Sequence, residues 1–471
     1  MYKILVSFFF CSTLWANEWQ DLERFLPPGT QLSYLVVDAA TQKTVVSHHA
    51  NTLRTPASVQ KVLTALAAKI YLGDDFRFET SIRGSRDKIS LGNYQGSLSF
   101  QFVGDPTLLR VDIRKMLLRL KSLGIKNIKG DFLLNSHAFN GYQWSNGQAW
   151  NDLGVCYTAP SHAIIVNKNC VLGNLGRGDG KTASLFIPPY EPMRISSDVQ
   201  IVSVEEKQKA FCDLEITRHE NNRYHLWGCM VPRSGAFPLA FAVNDPFNYA
   251  AEIIRSELKR VGIKLTGQVR EDSAYLVSDK LVTHQSITLD RLLLQMLKNS
   301  DNLIADSLFK TLGAHYFNTS GNFRNGALAL KLILEKQGID LGNSYIVDGS
   351  GLSRHNLMSS KLFMKVLNYI YKHDKTLHIL ASFPIAGKDG TLKYHRGVHD
   401  TLLTEKVIAK TGSMKGVSNL LGRVSTARGD MLFVVLLNAY VPLKSASVSV
   451  LVSKDHFQRE FLKRIVLLGN D

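Results

Sequence analysis

The sequence of 471 residues lacks the patterns that mark several large classes of protein. It contains no H-E-x-x-H motif, which disfavours a zinc peptidase. It has no run of lysine and arginine with interleaved aromatic residues, which argues against binding of nucleic acid. It also has no internal repeat, low-complexity tract or long disordered linker. A chain of this length and texture is expected to fold into two or three compact domains.

A long apolar run is also missing at the start of the chain, where a short one occurs instead. Residues 1–16 carry Lys3, an apolar stretch and Ala16 before a polar residue, which is typical of a secretory signal peptide. The stretch is too short to span a bilayer as a mature helix. A retained N-terminal anchor is the alternative, whereas the bulky residues before Cys11 disfavour lipid attachment there. The pattern therefore predicts export.

Cysteine is scarce, and removal of residues 1–16 leaves Cys156, Cys170, Cys212 and Cys229. An even number in an exported chain predicts two disulfides, for which three pairings exist. We favour Cys156 with Cys170 and Cys212 with Cys229, because each pair is close in sequence and flanked by strand-like residues. No histidines stand at zinc-ligand positions beside them, so we predict no metal and no cofactor.

Acidic residues are fewer than basic ones, and the formal net charge is +16. This balance favours an anionic partner such as a cell-wall polymer or lipid headgroups. The alternative is that the positive charge only keeps the protein soluble.

Periodicity divides the chain into an α/β (α+β) frame and a long insertion. Residues 76–279 read as short strands with turns, apart from helical spacing over 111–123 and 244–267. The flanking regions combine predicted helices and strands. The helices are 55–70, 289–312 and 455–468, and the strands are 31–39, 44–48, 407–411, 419–424 and 431–439. The short turns between the last three strands predict antiparallel neighbours. The last helix is expected to pack on that sheet, with attachment to a membrane surface as the alternative.

Three short motifs follow one another on these elements. In the first, Thr55 is a predicted N-cap, Pro56 occupies the first helical position, and Ser58 lies one turn before Lys61. A lysine desolvated by an apolar helix face can lose its proton and activate a serine. Taken alone, this spacing more often marks an ordinary helix start with a solvated lysine.

The second motif, Ser300-Asp301-Asn302, interrupts a helical segment, and the third, Lys410-Thr411-Gly412-Ser413, ends a strand. Each occurs often by chance, but S-x-x-K, S-D-N and K-T-G in this order are the signature of class A β-lactamases and penicillin-binding proteins.

With these motifs, the chain resembles the active-site-serine penicillin-recognising enzymes. Within them it is similar to the low-molecular-mass class C penicillin-binding proteins, the S13 D-Ala-D-Ala carboxypeptidase family. Further segments that match this family are 102–108 (FVGDPTL), 151–152 with 156–160 (ND and CYTAP), 348–354 (DGSGLSR) and 384–392 (PIAGKDGTL). The long separation of Ser58 from Ser300 also fits, because this family carries large inserted domains there.

The resemblance implies a β-lactamase-like catalytic domain whose antiparallel sheet is flanked by helices, interrupted by large, mainly β inserted domains. We expect the catalytic domain to comprise 17–80 and 280–471. The insert, 81–279, would form two smaller domains, approximately 81–95 with 165–279, and 96–164. Segment 348–354 is glycine-rich but lacks G-x-x-x-x-G-K, so it is expected to shape the site and not to bind phosphate.

The implied activity is a periplasmic serine DD-peptidase that cleaves D-Ala-D-Ala of peptidoglycan stem peptides, and D-Ala-diaminopimelate cross-links. Ser58 would be the nucleophile and Lys61 its base. Ser300 would relay a proton to the departing amine, Asn302 would orient Lys61 and the substrate amide, and Lys410 would supply a fixed positive charge. β-Lactam antibiotics would bind as covalent inhibitors.

The strand motif and one residue of the insert would bind substrate. Thr411 would bond the terminal carboxylate, Gly412 would lie beside the substrate, and the backbone N–H groups of Ser58 and Ser413 would form the oxyanion hole. By resemblance, Asp152 would contact a positively charged substrate side chain; a surface turn aspartate is the alternative reading.

Two other functions stay open at this point. A β-lactamase would need rapid deacylation, but no glutamate stands where the class A enzymes have one. A non-catalytic cell-wall or β-lactam-binding protein could keep the fold, although the three intact motifs argue against it.

Overall fold

The computed structural model describes residue 19 and residues 21–443 and 451–468. The predicted signal peptide, 1–16, lies outside the described residues. Within the described part of the chain, no helix is long and apolar enough to cross a membrane.

Over most of the described chain, groups of strands are separated by single helices, whereas four consecutive helices precede the last three strands. The helices are α1 (Lys61–Leu72), α2 (Arg110–Ser122), α3 (Val204–Lys209), α4 (Pro246–Val261), α5 (Leu289–Lys298), α6 (Asn302–Phe317), α7 (Phe323–Glu335), α8 (Ser360–Leu377) and α9 (Lys454–Leu467). The early strands are β1 (Gln31–Asp38), β2 (Thr44–His48), β3 (Glu79–Arg83), β4 (Ile89–Ser90), β5 (Asn93–Tyr94), β6 (Leu98–Gln101), β7 (Asn127–Ile128) and β8 (Phe132–Asn135). The middle strands are β9 (Cys170–Gly176), β10 (Ser184–Phe186), β11 (Arg194–Ser197), β12 (Gln200–Ile201), β13 (Leu214–His219), β14 (Arg223–Met230) and β15 (Phe237–Ala242). The late strands are β16 (Lys264–Leu265), β17 (Val269–Asp272), β18 (Lys280–Gln285), β19 (Val407–Met414), β20 (Val417–Thr426) and β21 (Gly429–Asn438).

The chain divides into two compact units. The first comprises Met1–Asp74, Leu289–Leu312 and Ala327–Asp471, and the second comprises Asp75–Thr288 and Gly313–Gly326. The predicted split of the insert into two smaller domains stays a prediction.

The first unit is built on a five-stranded antiparallel sheet in the order β19-β20-β21-β1-β2. Alternate residues of β1, such as Tyr34 and Val36, join a hydrophobic core, while Leu35 and Val37, which point the other way, are buried as well. Both faces of the sheet are therefore covered, and helix α8 contacts β1 and β21. This arrangement confirms the predicted antiparallel sheet flanked by helices.

Helix α9 packs on this sheet, as predicted. Phe461 lies with its ring centroid 5.4 Å from that of Tyr34 and also contacts Phe433, and Phe457 and Leu462 are fully buried beside it. The apolar face of the helix is thus used for core packing.

Among the described residues, the second unit contains four sheets and the helices α2, α3 and α4. Its largest sheet has the order β17-β8-β6-β3-β18 and mixes parallel and antiparallel neighbours. A single hydrophobic cluster continues through this unit, with Phe100, Phe132 and Ile254 among its fully buried members. Disulfides join Cys156 to Cys170 and Cys212 to Cys229, which confirms the favoured pairing.

Two predicted helices have different bounds in the structure. The helix expected over 244–267 ends at Val261, because Gly262 adopts a left-handed φ of 72° that caps it. The helix expected over 289–312 is two helices, α5 and α6, separated at the S-D-N motif, where Ser300 has a φ of 57°. The three small polar residues of this motif indicate an interruption of the helical segment, and the structure confirms it.

Candidate active site

The turn that carries Ser58 differs from the predicted helix start. A 3₁₀ turn, Ala57–Gln60, precedes α1, and Thr55 does not cap it. Instead, the Thr55 N–H donates to Asn438 Oδ1 at 2.8 Å, and its carbonyl accepts from Asn419 Nδ2 at 2.9 Å. Side chains of β20 and β21 thus bind the backbone N–H and carbonyl of Thr55. The helical conformation is also disfavoured at Thr55, because the residue precedes a proline.

This turn is strained and tightly enclosed. Ala57, just before the nucleophile, has a φ of 48°, a conformation that costs free energy for a residue with a side chain. Gly351 packs directly on it, because a Cβ there would lie 1.9 Å from the Ala57 carbonyl oxygen. On the strand side, a Cβ on Gly412 would lie 2.8 Å from the Pro56 carbonyl oxygen. Neighbouring elements therefore hold the Ser58 backbone in place.

Lys61 lies at the centre of the motif residues and is completely buried. Its Nζ donates to Ser58 Oγ at 2.8 Å, to Asn302 Oδ1 at 2.6 Å and to the Ser350 carbonyl oxygen at 2.6 Å. An ammonium has three N–H donors, so these three acceptors use all of them. The first two motifs are thereby joined by direct hydrogen bonds.

Burial controls the charge of Lys61. Desolvation lowers its pKa to about 8, although the negative charges of Asp306, Asp348 and Asp301 oppose this. A lysine with such a pKa is neutral in roughly one molecule in ten at pH 7, which is enough to supply a base.

Ser300 and Lys410 form a second hydrogen-bonded group. Lys410 Nζ donates to Ser300 Oγ at 2.9 Å and to the Thr411 carbonyl oxygen at 2.7 Å. Burial lowers the pKa of Lys410 well below its usual value, and the charge of Lys61 lowers it further. The left-handed backbone of Ser300 lies in the break between α5 and α6, and β19 carries Lys410.

The K-T-G strand presents its residues in alternating directions. Thr411 Oγ1 lies 2.8 Å from Thr391 Oγ1, while Gly412 packs on the Ser58 turn and Ser413 is exposed. Strand alternation thus separates the hydroxyl of Thr411 from the backbone contact of Gly412.

The predicted site residues fall into two groups. Those of the three motifs all lie in the first unit: Ser58, Lys61, Ser300, Asn302, Lys410, Thr411, Gly412 and Ser413. Asp152 lies in the second unit, in a 3₁₀ turn, Trp150–Asp152. There it hydrogen-bonds Tyr157, whose pKa is raised to about 12 by burial and then by this carboxylate. Its contact with substrate stays a prediction, as do the roles of the motif residues.

Several residues around the site have no role in the sequence-based prediction. Ser350 supplies a carbonyl to Lys61, Asn419 holds the Ser58 turn, Thr391 contacts Thr411, and Asp306 binds the loop that carries Ser350. Ser350 and Thr391 lie in the segments 348–354 and 384–392 that match the family, and the first of these was expected to shape the site. Asp306 leaves a weaker signal, since it lies one helical turn after Asn302 and therefore on the same face.

Known proteins of similar sequence include D-alanyl-D-alanine carboxypeptidases. The model of the D-Ala-D-Ala carboxypeptidase 3 (S13) family matches residues 20–452. The D-alanyl-D-alanine carboxypeptidase DacB of Haemophilus influenzae is 39% identical over 93% of this chain and 92% of its own length. A D-alanyl-D-alanine carboxypeptidase of an Actinomadura species is 25% identical over 88% of this chain and 78% of its own.

A solved structure shows the same fold. The crystal structure of penicillin binding protein 4 (dacB) from Haemophilus influenzae superposes with a TM-score of 0.89 at 37% identity and covers 95% of this chain and 99% of that one. The same protein is also known in complex with a β-lactam, with a TM-score of 0.84. The predicted β-lactamase-like fold is confirmed, and the chain belongs to the D-Ala-D-Ala carboxypeptidase 3 (S13) family.

Proposed function

We propose that Ser58 is the acylated nucleophile of a serine DD-carboxypeptidase, activated by Lys61. The geometry of Lys61 carries this proposal. Of its three hydrogen-bond partners, Asn302 Oδ1 and the Ser350 carbonyl can only accept, whereas the Ser58 hydroxyl can also donate. When Lys61 is neutral, its two remaining N–H groups stay on the two fixed acceptors, and its lone pair faces the Ser58 proton.

Acylation follows from this arrangement. Ser58 Oγ attacks the carbonyl carbon of the penultimate D-alanine while its proton passes to Lys61 Nζ. Negative charge develops on the carbonyl oxygen, where the backbone N–H groups of Ser58 and Ser413 would receive it. The strained, enclosed Ser58 turn keeps its N–H in place, so the enzyme does not have to reorganise during the reaction.

Ser300, Lys410 and Thr411 act on the terminal D-alanine, which leaves during acylation. Collapse of the tetrahedral intermediate breaks the C–N bond, and the departing D-alanine nitrogen takes the proton that Lys61 received from Ser58. Ser300, which Lys410 contacts, relays this proton, and Lys61 becomes neutral again. Thr411, with its hydroxyl oriented by Thr391, would bond the terminal carboxylate. The incoming carboxylate would favour the charged form of Lys410, whose pKa burial lowers in the free enzyme. Water then attacks the acyl-enzyme while Lys61 accepts its proton, and this proton returns to Ser58 Oγ as the ester C–O bond breaks.

The proposal extends to the natural substrate and its place. Stem peptides of peptidoglycan ending in D-Ala-D-Ala fit the mechanism, and so do D-Ala-diaminopimelate cross-links, since only the amine that leaves is different. The net charge of +16 would favour the anionic cell wall. We place the protein in the periplasm, with β-lactams as covalent inhibitors, as the complex of the Haemophilus influenzae relative suggests.

Labelling with a fluorescent penicillin tests the nucleophile. Ser58→Ala is expected to lose all covalent label and all release of D-alanine from a pentapeptide. Ser359→Ala is the matched control, because Ser359 only caps α8 in the same unit and its loss should leave labelling intact. Retention of covalent label by Ser58→Ala would remove Ser58 from this role.

The same label separates the proposal from its two rivals. A β-lactamase would shed the penicilloyl group quickly, whereas we expect a long-lived adduct. A non-catalytic binding protein would bind the pentapeptide without releasing D-alanine, and a zero yield of D-alanine from the folded protein would favour it.

A further inference from the structure

The carboxylate of Asp306 is buried beside the site, and the mechanism above does not use it. Asp306 lies on α6, one turn after Asn302, and is only 4% exposed. Its Oδ1 accepts from the backbone N–H groups of Gly349 at 3.0 Å and Ser350 at 2.9 Å, and its Oδ2 accepts from Ser350 Oγ at 3.0 Å. All three bonds hold one loop, 348–351.

The same loop uses its carbonyl groups on the other side, toward the Ser58 motif. The Ser350 carbonyl accepts from Lys61 Nζ at 2.6 Å, and the Gly349 carbonyl accepts from Thr64 Oγ1 at 2.7 Å. The Asp348 carbonyl accepts from Gln60 Nε2. The peptide units of this loop therefore donate to Asp306 and accept from the nucleophile segment.

We propose that Asp306 is a positioning residue for Lys61, acting through Ser350, whose backbone N–H and hydroxyl it binds; this rests on the role proposed for Lys61. Asn302 and the Ser350 carbonyl are the two fixed acceptors that direct the lone pair of neutral Lys61 toward Ser58. If the Ser350 carbonyl turned away, one N–H of Lys61 would lose its acceptor and could rotate toward Ser58. Asp306 opposes this by holding Ser350 through its N–H and its hydroxyl. Asp348 Oδ1 assists, since it accepts at 2.8 Å from the Gly351 N–H, which belongs to the same peptide unit as the Ser350 carbonyl.

The charges around Asp306 support a second effect on Lys61. The pKa of Asp306 is raised to about 7 by burial and by the charge of Asp348, although Lys61, the bond from Ser350 and Lys310 act to lower it. Lys310, one turn further along α6, is itself buried, and this lowers its pKa to about 7. Asp306 also raises the pKa of Lys61, together with Asp348 and Asp301. Its charge thus helps to set the pH at which the base becomes active.

Two substitutions separate position from charge. In Asp306→Asn, the amide oxygen can still accept from both backbone N–H groups and the NH₂ can donate to Ser350 Oγ, so the loop keeps its place without the charge. Asp306→Ala loses both. Ser307→Ala is the matched control: the next residue on α6 is equally buried, and its hydroxyl has no hydrogen-bond partner among the described residues.

The measurement is the rate of acylation by fluorescent penicillin from pH 5.5 to 10, with thermal unfolding of each variant. We expect Asp306→Ala to acylate about 100-fold more slowly, since small displacements of a catalytic group have effects of this size. Asp306→Asn should recover most of that rate, and its acid limb should move to lower pH by roughly one unit, because a charge that raises the pKa of Lys61 is gone. Ser307→Ala should match the wild type.

A wild-type rate in folded Asp306→Ala overturns the proposal, as does an Asp306→Asn variant that is as slow as Asp306→Ala with an unmoved acid limb. If Asp306→Ala does not fold, Asp306→Asn alone tests the proposal. In that case, an acid limb of the acylation profile at the same pH as in the wild type contradicts it. Failure of the proposed function would look different, since Ser58→Ala would then remain labelled whatever the Asp306 variants do.

Discussion

The two ends of helix α1 each bury a lysine, and the two lysines have opposite properties. Lys61 hydrogen-bonds a hydroxyl, an amide oxygen and a backbone carbonyl, and burial lowers its pKa to about 8. Lys69 pairs with Asp74 at 2.8 Å and with Asp290. Burial also acts to lower the pKa of Lys69, but the hydrogen bonds and charges of both carboxylates outweigh it, and the pKa is raised.

The difference shows what sets the pKa of a buried lysine in this fold. Both side chains leave water, so burial alone does not distinguish them. Carboxylates in direct contact restore the charge of Lys69, whereas the acids around Lys61 act on it without an ion pair, and neutral oxygens occupy its three donor positions. Lys69 therefore stabilises structure, and Lys61 can exchange a proton.

The second unit also contains a buried charge that is held by oppositely charged partners, but here the buried group is an acid. Glu257 on α4 is fully buried and bridges Arg110 and Arg114, with each Nε–Oε distance 2.6 Å. Burial raises its pKa, but the hydrogen bonds and charges of Arg114 and Arg110 outweigh this and leave the pKa below its usual value. Glu257 thus keeps its charge, as Lys69 does.

Substitution of the two lysines by methionine should give the largest difference between them. Lys61→Met is expected to lower the acylation rate about a thousandfold, because the base is gone, while leaving the melting temperature unchanged or higher, because no buried ammonium has to be held. Lys69→Met, the matched control on the same helix, should acylate normally but lose roughly 1 kcal/mol of stability, since its partners are half exposed. Acylation rates and thermal unfolding check both. A normal acylation rate in Lys61→Met would contradict the contrast.

Glu257→Gln should show the cost of breaking an ion pair that is purely structural. We expect a loss of about 3 kcal/mol in the free energy of unfolding, because two arginines lose their shared charge inside the second unit. Urea denaturation measures the loss, and fluorescent penicillin should still label the folded fraction at the wild-type rate. A slow labelling rate in fully folded protein would argue that Glu257 has more than a structural role.

The pH dependence should separate the two lysines more finely. The lowered pKa of Lys61 means that the neutral base is lost as pH falls through about 8, so acylation should fall about tenfold per pH unit below that value and level off above it. The raised pKa of Lys69 favours the folded state below its usual value, and this contribution is lost only as pH rises through the raised one. The acylation profile of Lys69→Met should therefore coincide with that of the wild type. A shift of the acid limb of the Lys69→Met acylation profile would show that Lys69 influences the pKa of Lys61.

The smallest expected effect concerns a neutral contact of the site. Thr391→Val removes the hydroxyl that lies 2.8 Å from Thr411 Oγ1. Loss of one such hydrogen bond should raise KM for a peptide ending in D-Ala-D-Ala about fivefold with little change in kcat, because Thr411 loses its orientation toward the carboxylate. Thr426→Val, which loses a hydroxyl at the exposed end of β20, is the control. An equal KM in Thr391→Val and Thr426→Val would show that Thr391 does not contribute to substrate binding.

Sequence patterns identified most of the frame correctly. The strands that end the chain, helix α9 and the disulfide pairing follow from apolar periodicity and from cysteine spacing, which depend on neighbours in the sequence. The ends of elements were less predictable. The cap at Thr55 was wrong because Asn419 and Asn438, hundreds of residues away, bind its backbone, and a local pattern contains no information on such partners.

By itself, the sequence determined the family and the residues of the three motifs, because a serine, a lysine and their partners must keep fixed spacings on their own elements. The motif assigned the base to Lys61, but it did not predict the pKa of that lysine or of Lys69, since both lie on one helix and both are buried. Only the tertiary structure decided that, by bringing Ser350 and Asn302 to the first lysine and Asp290 to the second. The pKa of a buried group depends on the charges and hydrogen bonds around it, and these come from distant parts of the chain.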